Sequence, residues 1–203
     1  MEFYPTDGEL TYRKMYHSSN AFEGEDFDYY IKSIKHLYPP ILNTGNTDQT
    51  KEGEVNENSK GITNRLTWTI NLNDIIFSSL KEKIINHINL ANNLWKFDII
   101  NLLDVIYMEY TDKNSTFLDW HMDLHNNFPF CNRKISFTIP FNSPTEYEGG
   151  TLEFFTDSNN SPTFRPEINS IIAFPSFLMH KVTPITEGTR KVLVGFVGGP
   201  PLR

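Results

Sequence analysis

Phe27, Tyr30, Ile31, Ile34, Leu37 and Tyr38 recur at spacings of three and four, and the pattern predicts an amphipathic helix over residues 25–38 that Pro39-Pro40 stops. A second helix is predicted from about Asp74 to Trp95. There Leu80, Ile84, Ile88, Ala91 and Trp95 share one face, and Asp74 is the expected N-cap. After Phe97 the pattern changes. Short apolar or alternating runs near 97–100, 104–110, 117–123, 134–141, 151–155, 170–174 and 191–197 are separated by clusters of Asn, Asp, Gly and Pro. Many short strands at such spacing predict an all-β barrel or a jelly roll. Helices first and strands afterwards place the helices against the outside of the sheet. The break near residue 96 reads as a change of layer inside one domain over residues 1–203, with a helical flank and polar loop over 1–96 and the strand-rich core over 97–203. The stretch from Asn43 to Gly61 has Val55 as its only aliphatic residue, and reads as a long loop: a lid over a site, or disorder.

Composition narrows the class. The chain has 203 residues, enough to bury a core, and its formal net charge is −7 from 18 basic and 25 acidic residues. With no local basic patch, a nucleic-acid partner is not expected. Aromatic residues make up 14%, which argues against disorder over most of the chain. A single cysteine, Cys131, excludes an internal disulfide and a Cys-based zinc or iron–sulfur site. No apolar run is long enough to span a bilayer, and the acidic start Met1-Glu2-Phe3-Tyr4-Pro5 is no signal peptide, so a cytoplasmic protein with no membrane partner is expected.

The candidate chemistry lies in the strand-rich part. His121 and Asp123 stand two apart, so on a strand they point to one side. His180 follows about 60 residues later, after the apolar run Ile171-Ile172-Ala173-Phe174-Pro175. Two imidazoles and one carboxylate form a three-donor set that leaves coordination positions open and suits non-haem Fe(II). Zn²⁺ accepts the same donors, so a zinc hydrolase is an alternative, although no further carboxylate stands out as a general base and Arg190 would have no role. A His-x-Asp pair alone often arises by chance; the joint pattern with His180 and Arg190 gives it weight. Arg190 comes ten residues after His180 and shares a strand face with Val192, Val194 and Phe196. A guanidinium with apolar walls suits the far carboxylate of a dicarboxylate co-substrate. Tyr110 ends a strand-like run and offers a hydroxyl to the same ligand. His125 continues the alternation past Asp123 and reads as a pocket-rim or surface residue, while His17, His36 and His87 read as ordinary. Gly149-Gly150 reads as a turn with positive φ that also lets backbone come close to the ion's surroundings.

Taken as a set, several segments carry a resemblance: Asn64-Arg65-Leu66-Thr67-Trp68, Ala91 through Ile99, Asp119-Trp120-His121-Met122-Asp123, Arg133-Lys134-Ile135-Ser136-Phe137, Tyr147 through Phe154, Phe174 through His180, and Gly188-Thr189-Arg190 through Pro200. Over roughly residues 60–203 the chain resembles the Fe(II)/2-oxoglutarate dioxygenases of the prolyl 4-hydroxylase type, especially the bacterial and viral PKHD-type hydroxylases. The resemblance implies a mainly β fold, a double-stranded β-helix (jelly-roll) core with flanking N-terminal α-helices. It implies Fe(II) at His121, Asp123 and His180, 2-oxoglutarate anchored by Arg190, dioxygen as the second co-substrate and ascorbate as an accessory. The implied reaction is hydroxylation of a C–H bond, with a prolyl residue of a peptide or protein as the favoured substrate. A free small molecule, or a binding module without catalysis, remains an alternative. Phe196 stands where the family often has Trp. Residues 1–60 match no pattern, and part of the substrate choice is expected there.

Overall fold

The computed structural model describes residues 2–4, 15–43, 65–114, 116–125, 130–155 and 162–200. Thirteen strands and two α-helices are assigned among them: β1 (Glu2–Tyr4), β2 (Met15–Ser18), α1 (Phe27–Leu37), β3 (Ile41–Asn43), β4 (Arg65–Ile70), α2 (Ser78–Trp95), β5 (Asn101–Thr111), β6 (Leu118–His121), β7 (Arg133–Pro140), β8 (Tyr147–Gly149), β9 (Leu152–Phe154), β10 (Thr163–Phe164), β11 (Ile171–Pro175), β12 (His180–Val182) and β13 (Ile185–Gly198). The large sheet runs β1-β2-β11-β7-β13-β5-β4-β3, with β8 joined to β13, and the small sheet runs β10-β9-β12-β6. All pairings are antiparallel. This is a double-stranded β-helix with helices on one outer face, the expected fold.

Alternation along the large sheet builds two cores. On β5, Val105 and Tyr107 face the helices while Met108 and Tyr110 face the small sheet; on β13, Leu193 and Val197 face the helices and Val192 faces the small sheet; on β11, Ile171 and Ala173 oppose Ile172 and Phe174. Because a strand's side chains alternate with period two, sandwiching the sheet on both faces demands near-continuous apolar runs, which these strands have. The core on the small-sheet side, completed by Leu152, Phe154 and Val182, walls the cavity described below.

The helices follow their periodicity. Asp26 caps α1 by accepting from the Tyr29 N–H at 2.9 Å. Leu80, Ile84, Ile88, Ala91 and Trp95 of α2 are all buried against the large sheet. Each of Leu80, Ile84 and Ile88 contributes about 1.5–3 kcal/mol when fully buried. The helix depends on that packing, since its four asparagines (Asn86, Asn89, Asn92, Asn93) are mediocre helix formers. Lys96 ends it in the left-handed region at φ 57°, and the Asn92 amide brackets Phe97 by accepting from its N–H and donating to its carbonyl, both at 2.9 Å.

Three expectations need correction. Asp74 does not cap α2: a 3₁₀ turn over Ile75–Phe77 intervenes, and the Asp74 side chain makes no cap bond but accepts from the Tyr38 hydroxyl and the Asn71 amide. The run 97–100 is not a strand; pairing with β13 begins at Asn101, and Ile100 is largely exposed. Nor do strands wait until after the helices, because β2 pairs with β11 and β4 with β5, so the first half of the chain extends the large sheet on both sides. The expected loop from Asn43 to Gly61 lies outside the described residues beyond Asn43. Among the described residues no helix is long and apolar enough to cross a membrane.

Candidate metal centre

His121 ends β6 and His180 opens β12, and the two are direct partners in the pairing of those strands. Their ring centroids lie 4.2 Å apart. Asp123, two residues beyond His121, turns its carboxylate between them: Oδ1 lies 3.6 Å from His121 Nε2 and Oδ2 3.5 Å from His180 Nε2. One ligand atom from each residue lies within 4.8 Å of the others.

The other nitrogen of each ring decides the chemistry. His121 Nδ1 sits 2.7 Å from the Asp119 carbonyl and His180 Nδ1 sits 2.8 Å from the Leu178 carbonyl. A carbonyl only accepts, so both Nδ1 atoms carry the proton and donate. Burial, followed by the neighbouring His180, pushes the His121 pKa down from 6.5 to about 4, so this ring is neutral at pH 7 and its Nε2 presents a lone pair. Lone pair and carboxylate face each other with no hydrogen between them, an arrangement that a cation stabilises. The backbone carbonyls that fix the two rings are the outer partners a metal-binding imidazole needs. The donor set therefore fits a divalent ion of the non-haem iron type.

The sign of the His121 shift has a consequence for the metal-free protein. Its imidazole takes up a proton more readily in the unfolded chain than in the folded one. Stability is therefore expected to fall as pH drops from about 6.5 towards 4, and to be unaffected by this group above that window. Urea midpoints at pH 7 and pH 4.5 check this: His121→Gln should lose less stability across the interval than the wild-type chain.

The backbone that carries Asp123 has its own supports. The Asp123 N–H donates to the Ser176 carbonyl at 2.9 Å, Ser176 donates its N–H to the Lys134 carbonyl, and the Ser136 and Ser176 hydroxyls are 2.9 Å apart. Arg133 donates to the Asp123 carbonyl at 3.4 Å and to the Asp104 carboxylate at 3.2 Å, and its guanidinium lies over the Phe196 ring at 3.5 Å from the centroid. Phe174 packs edge-on against His180 at 4.7 Å. Sequence reasoning assigned no such role to Arg133, Ser136, Ser176 or Phe174. These segments carried the resemblance, but which side chain supports which depends on strand pairing, as in the Ser136–Ser176 contact between β7 and the end of β11, and no local pattern specifies that.

These residues open onto a cavity of about 540 Å³ that Arg190, Tyr110, Met108, Val194 and Phe196 also line. Arg190 on β13 pairs directly with Tyr110 on β5, is 4% exposed, and places its guanidinium carbon 5.3 Å from the centre of the Tyr110 ring. The Tyr110 hydroxyl points to the Met108 sulfur at 3.5 Å. His125 lines the rim and is exposed. His87 is hydrogen-bonded to the Tyr16 hydroxyl at 2.6 Å, within the core on the helix side, and His36 is exposed on α1. His17 sits on β2.

The glycine pair serves Arg190 and the turn. Gly149 and Gly150 have φ of +79° and +62°, and a β-carbon on Gly149 would stand 1.9 Å from the Pro184 carbonyl oxygen. A β-carbon on Gly150 would meet Ile185 Cδ1 at 2.6 Å and Arg190 Cδ at 2.9 Å. Gly150→Ala is expected to cost about 1–2 kcal/mol for the left-handed backbone and to push Arg190 out of line. In a binding assay it should weaken dicarboxylate binding while leaving metal affinity unchanged.

Comparison with known proteins follows the same lines. Residues 105–198 match the family model of the 2OG-Fe(II) oxygenase superfamily. Curated relatives include a PKHD-type hydroxylase of Gloeothece citriformis, 37% identical over 68 residues (34% of this chain, 30% of the relative). Another from Synechococcus is 35% identical over 79 residues (38% of this chain, 35% of the relative). The chain thus aligns with about a third of the length of each of these relatives. Among solved structures, a Pseudomonas putida prolyl-4-hydroxylase superposes with TM-score 0.65 at 16% identity, over 92% of both chains. A Trichoplax adhaerens prolyl hydroxylase in complex with a hypoxia inducible factor peptide fragment superposes with TM-score 0.67 at 14% identity, over 91% of this chain and 83% of the other. At such identities these structures speak to the fold. Residues 105–198 thus match the 2OG-Fe(II) oxygenase superfamily model, and part of the chain is similar in sequence to PKHD-type hydroxylases.

Proposed function

We propose that the protein is an Fe(II)- and 2-oxoglutarate-dependent dioxygenase that hydroxylates a C–H bond, with a prolyl residue of a peptide or protein as substrate. The observation that carries this reading is the convergence of two imidazole Nε2 atoms and one carboxylate beside a cavity whose buried cation is Arg190. In this reading His121, Asp123 and His180 hold the iron, and the chain forms one oxygenase domain. When bound, the ion with its co-substrate supplies the oxidising power for C–H chemistry, which amino-acid side chains lack.

The chain's own residues then have defined tasks. Arg190 holds the distal carboxylate of 2-oxoglutarate through its two-pronged donor edge, in a setting where burial strengthens the pair. Tyr110 supports that guanidinium with its ring face. Met108, Val194 and Phe196 keep bulk water away. The cavity of about 540 Å³ falls in the roughly 300–1,000 Å³ range of small-molecule sites.

A polypeptide substrate is supported by an aromatic pair on the outer face of the small sheet, one residue along from His121 and Phe154. Trp120, 37% exposed, and Phe155, 56% exposed, meet edge-to-face at 5.9 Å. An exposed aromatic pair is a surface on which extended, proline-containing peptides pack. The names of the sequence relatives, PKHD-type hydroxylases, agree with a hydroxylation. The test is succinate release that requires both Fe(II) and 2-oxoglutarate, followed by a mass-spectrometric search of peptides for an added oxygen. Release that is indifferent to iron would sink the reading.

A further inference from the structure

The cavity contains a second guanidinium that the proposed centre leaves unused. Arg65 begins β4, one step beyond the Leu66–Glu109 pair, which sets it opposite Tyr110. Arg190 lies opposite the same tyrosine on the other side. Arg65, Tyr110 and Arg190 thus form a row across three adjacent strands. Both guanidinium carbons approach one ring, at 5.9 Å for Arg65 and 5.3 Å for Arg190, and both side chains line the cavity. Their settings differ: Arg190 is buried and Arg65 is half-buried, closer to solvent.

Two of the three Arg65 guanidinium nitrogens, Nε and Nη1, are shielded from solvent and lack a hydrogen-bond partner among the described residues. A buried donor left without a partner is destabilising, the more so when it is charged. The third cavity arginine, Arg133, is by contrast satisfied by the Asp104 carboxylate and the Asp123 carbonyl. Charge balance points the same way. A divalent ion together with Arg190 offsets Asp123 and the two carboxylates of 2-oxoglutarate, so Arg65 is left over. Asp119, the other acidic residue lining the cavity, is exposed and accepts from the Trp120 N–H at 2.8 Å.

We propose that Arg65 is the recognition point for a carboxylate carried by the substrate itself, so that the enzyme oxidises a carbon near an acidic group. The inference rests on the oxygenase reading of the cavity. It deepens that reading by naming the substrate class: carboxylate-bearing peptides or amino-acid derivatives, held by the same fork-shaped donor edge that suits Arg for planar anions. The carboxylate can be a chain terminus or an acidic side chain, which share this chemistry.

The test uses the full chain loaded with Mn(II) and 2-oxoglutarate under nitrogen, so that no turnover occurs. Binding is measured calorimetrically for N-acetyl amino acids and for the matching N-acetyl amino amides. The amides of N-acetyl-Asp and N-acetyl-Glu, set against those of Asn and Gln, separate a side-chain acid from a terminal one. The expected result is that a carboxylate-bearing compound binds more tightly than its neutral match, and that Arg65→Gln removes about 30-fold of its affinity, the low end of what breaking a buried charge pair costs. Arg65→Lys, which keeps the charge and loses the fork, should fall between. Affinity for 2-oxoglutarate should be unchanged in both variants. The assignment is overturned if no acid is preferred over its neutral match, if the preference survives Arg65→Gln, or if Arg65→Gln weakens 2-oxoglutarate binding as Arg190→Gln does. Binding of 2-oxoglutarate to the wild-type protein is measured first. Its absence overturns the oxygenase reading, whereas its presence without any acid preference overturns only the role of Arg65.

Discussion

Asp123→Ala is expected to abolish iron-dependent succinate formation. Asp123 is the only anionic member of the cluster, and its two oxygens face the two imidazole Nε2 atoms at 3.6 and 3.5 Å. Without it the centre reduces to two imidazoles, one at each end of neighbouring strands, and loses the charge that offsets a divalent cation. Changing residues that merely support metal ligands costs roughly 10–100-fold in affinity or activity, so deleting a donor should exceed that range. The backbone bonds that hold the segment, from the Asp123 N–H to the Ser176 carbonyl and from Arg133 to the Asp123 carbonyl, do not involve the deleted carboxylate. The variant should therefore fold with a thermal midpoint close to that of the metal-free wild type. Equilibrium dialysis against Fe(II) under nitrogen, with succinate measured in parallel, checks both halves. A variant that keeps wild-type turnover removes Asp123 from the centre.

The second large effect is expected at the other end of the cavity. Arg190→Ala should raise the 2-oxoglutarate concentration needed for half-maximal rate while leaving metal affinity in place. Arg190 is 4% exposed, so its bond to a carboxylate would form largely out of water. Truncating one partner of such a buried pair costs about 2–5 kcal/mol, which corresponds to about 30-fold to several-thousand-fold in affinity. Arg190→Lys should recover part of the loss, because it restores the charge without the two-pronged geometry. Initial rates against 2-oxoglutarate concentration separate the outcomes. An unchanged half-saturation point in Arg190→Ala would dismiss the proposed anchor.

These two sites were legible in the sequence to different depths. Strand parity set Arg190 beside Val192, Val194 and Phe196; it also put His121 and Asp123 on one side of a strand, but β6 ends at His121 and the bend beyond it is what turns Asp123 towards the imidazoles. The cavity indeed has Arg190, Val194 and Phe196 along its wall. Helical periodicity picked out the buried face of α2 residue by residue. Both are local properties, because a period of 2 or 3.6 fixes which side of an element faces inward whatever it packs against. Strand β4 was overlooked despite its Trp, Thr and Ile, since it stands between two helices where a helical layer was expected. Strands β8 and β12, at three residues each, are too short for a period to register.

What the chain determined by itself is therefore a list of inward-facing groups, including the three metal-type donors and the arginine. Only the tertiary structure decided which of them meet. The pairing of His180 with His121, the row of Arg65, Tyr110 and Arg190, and the hold of Ser176 and Arg133 on the Asp123 segment all depend on register between strands distant in sequence. Slipping one strand by a single residue would turn its side chains to the opposite face. Register is set by the combined burial of both sheet faces, which is a property of the packed molecule and of no single segment.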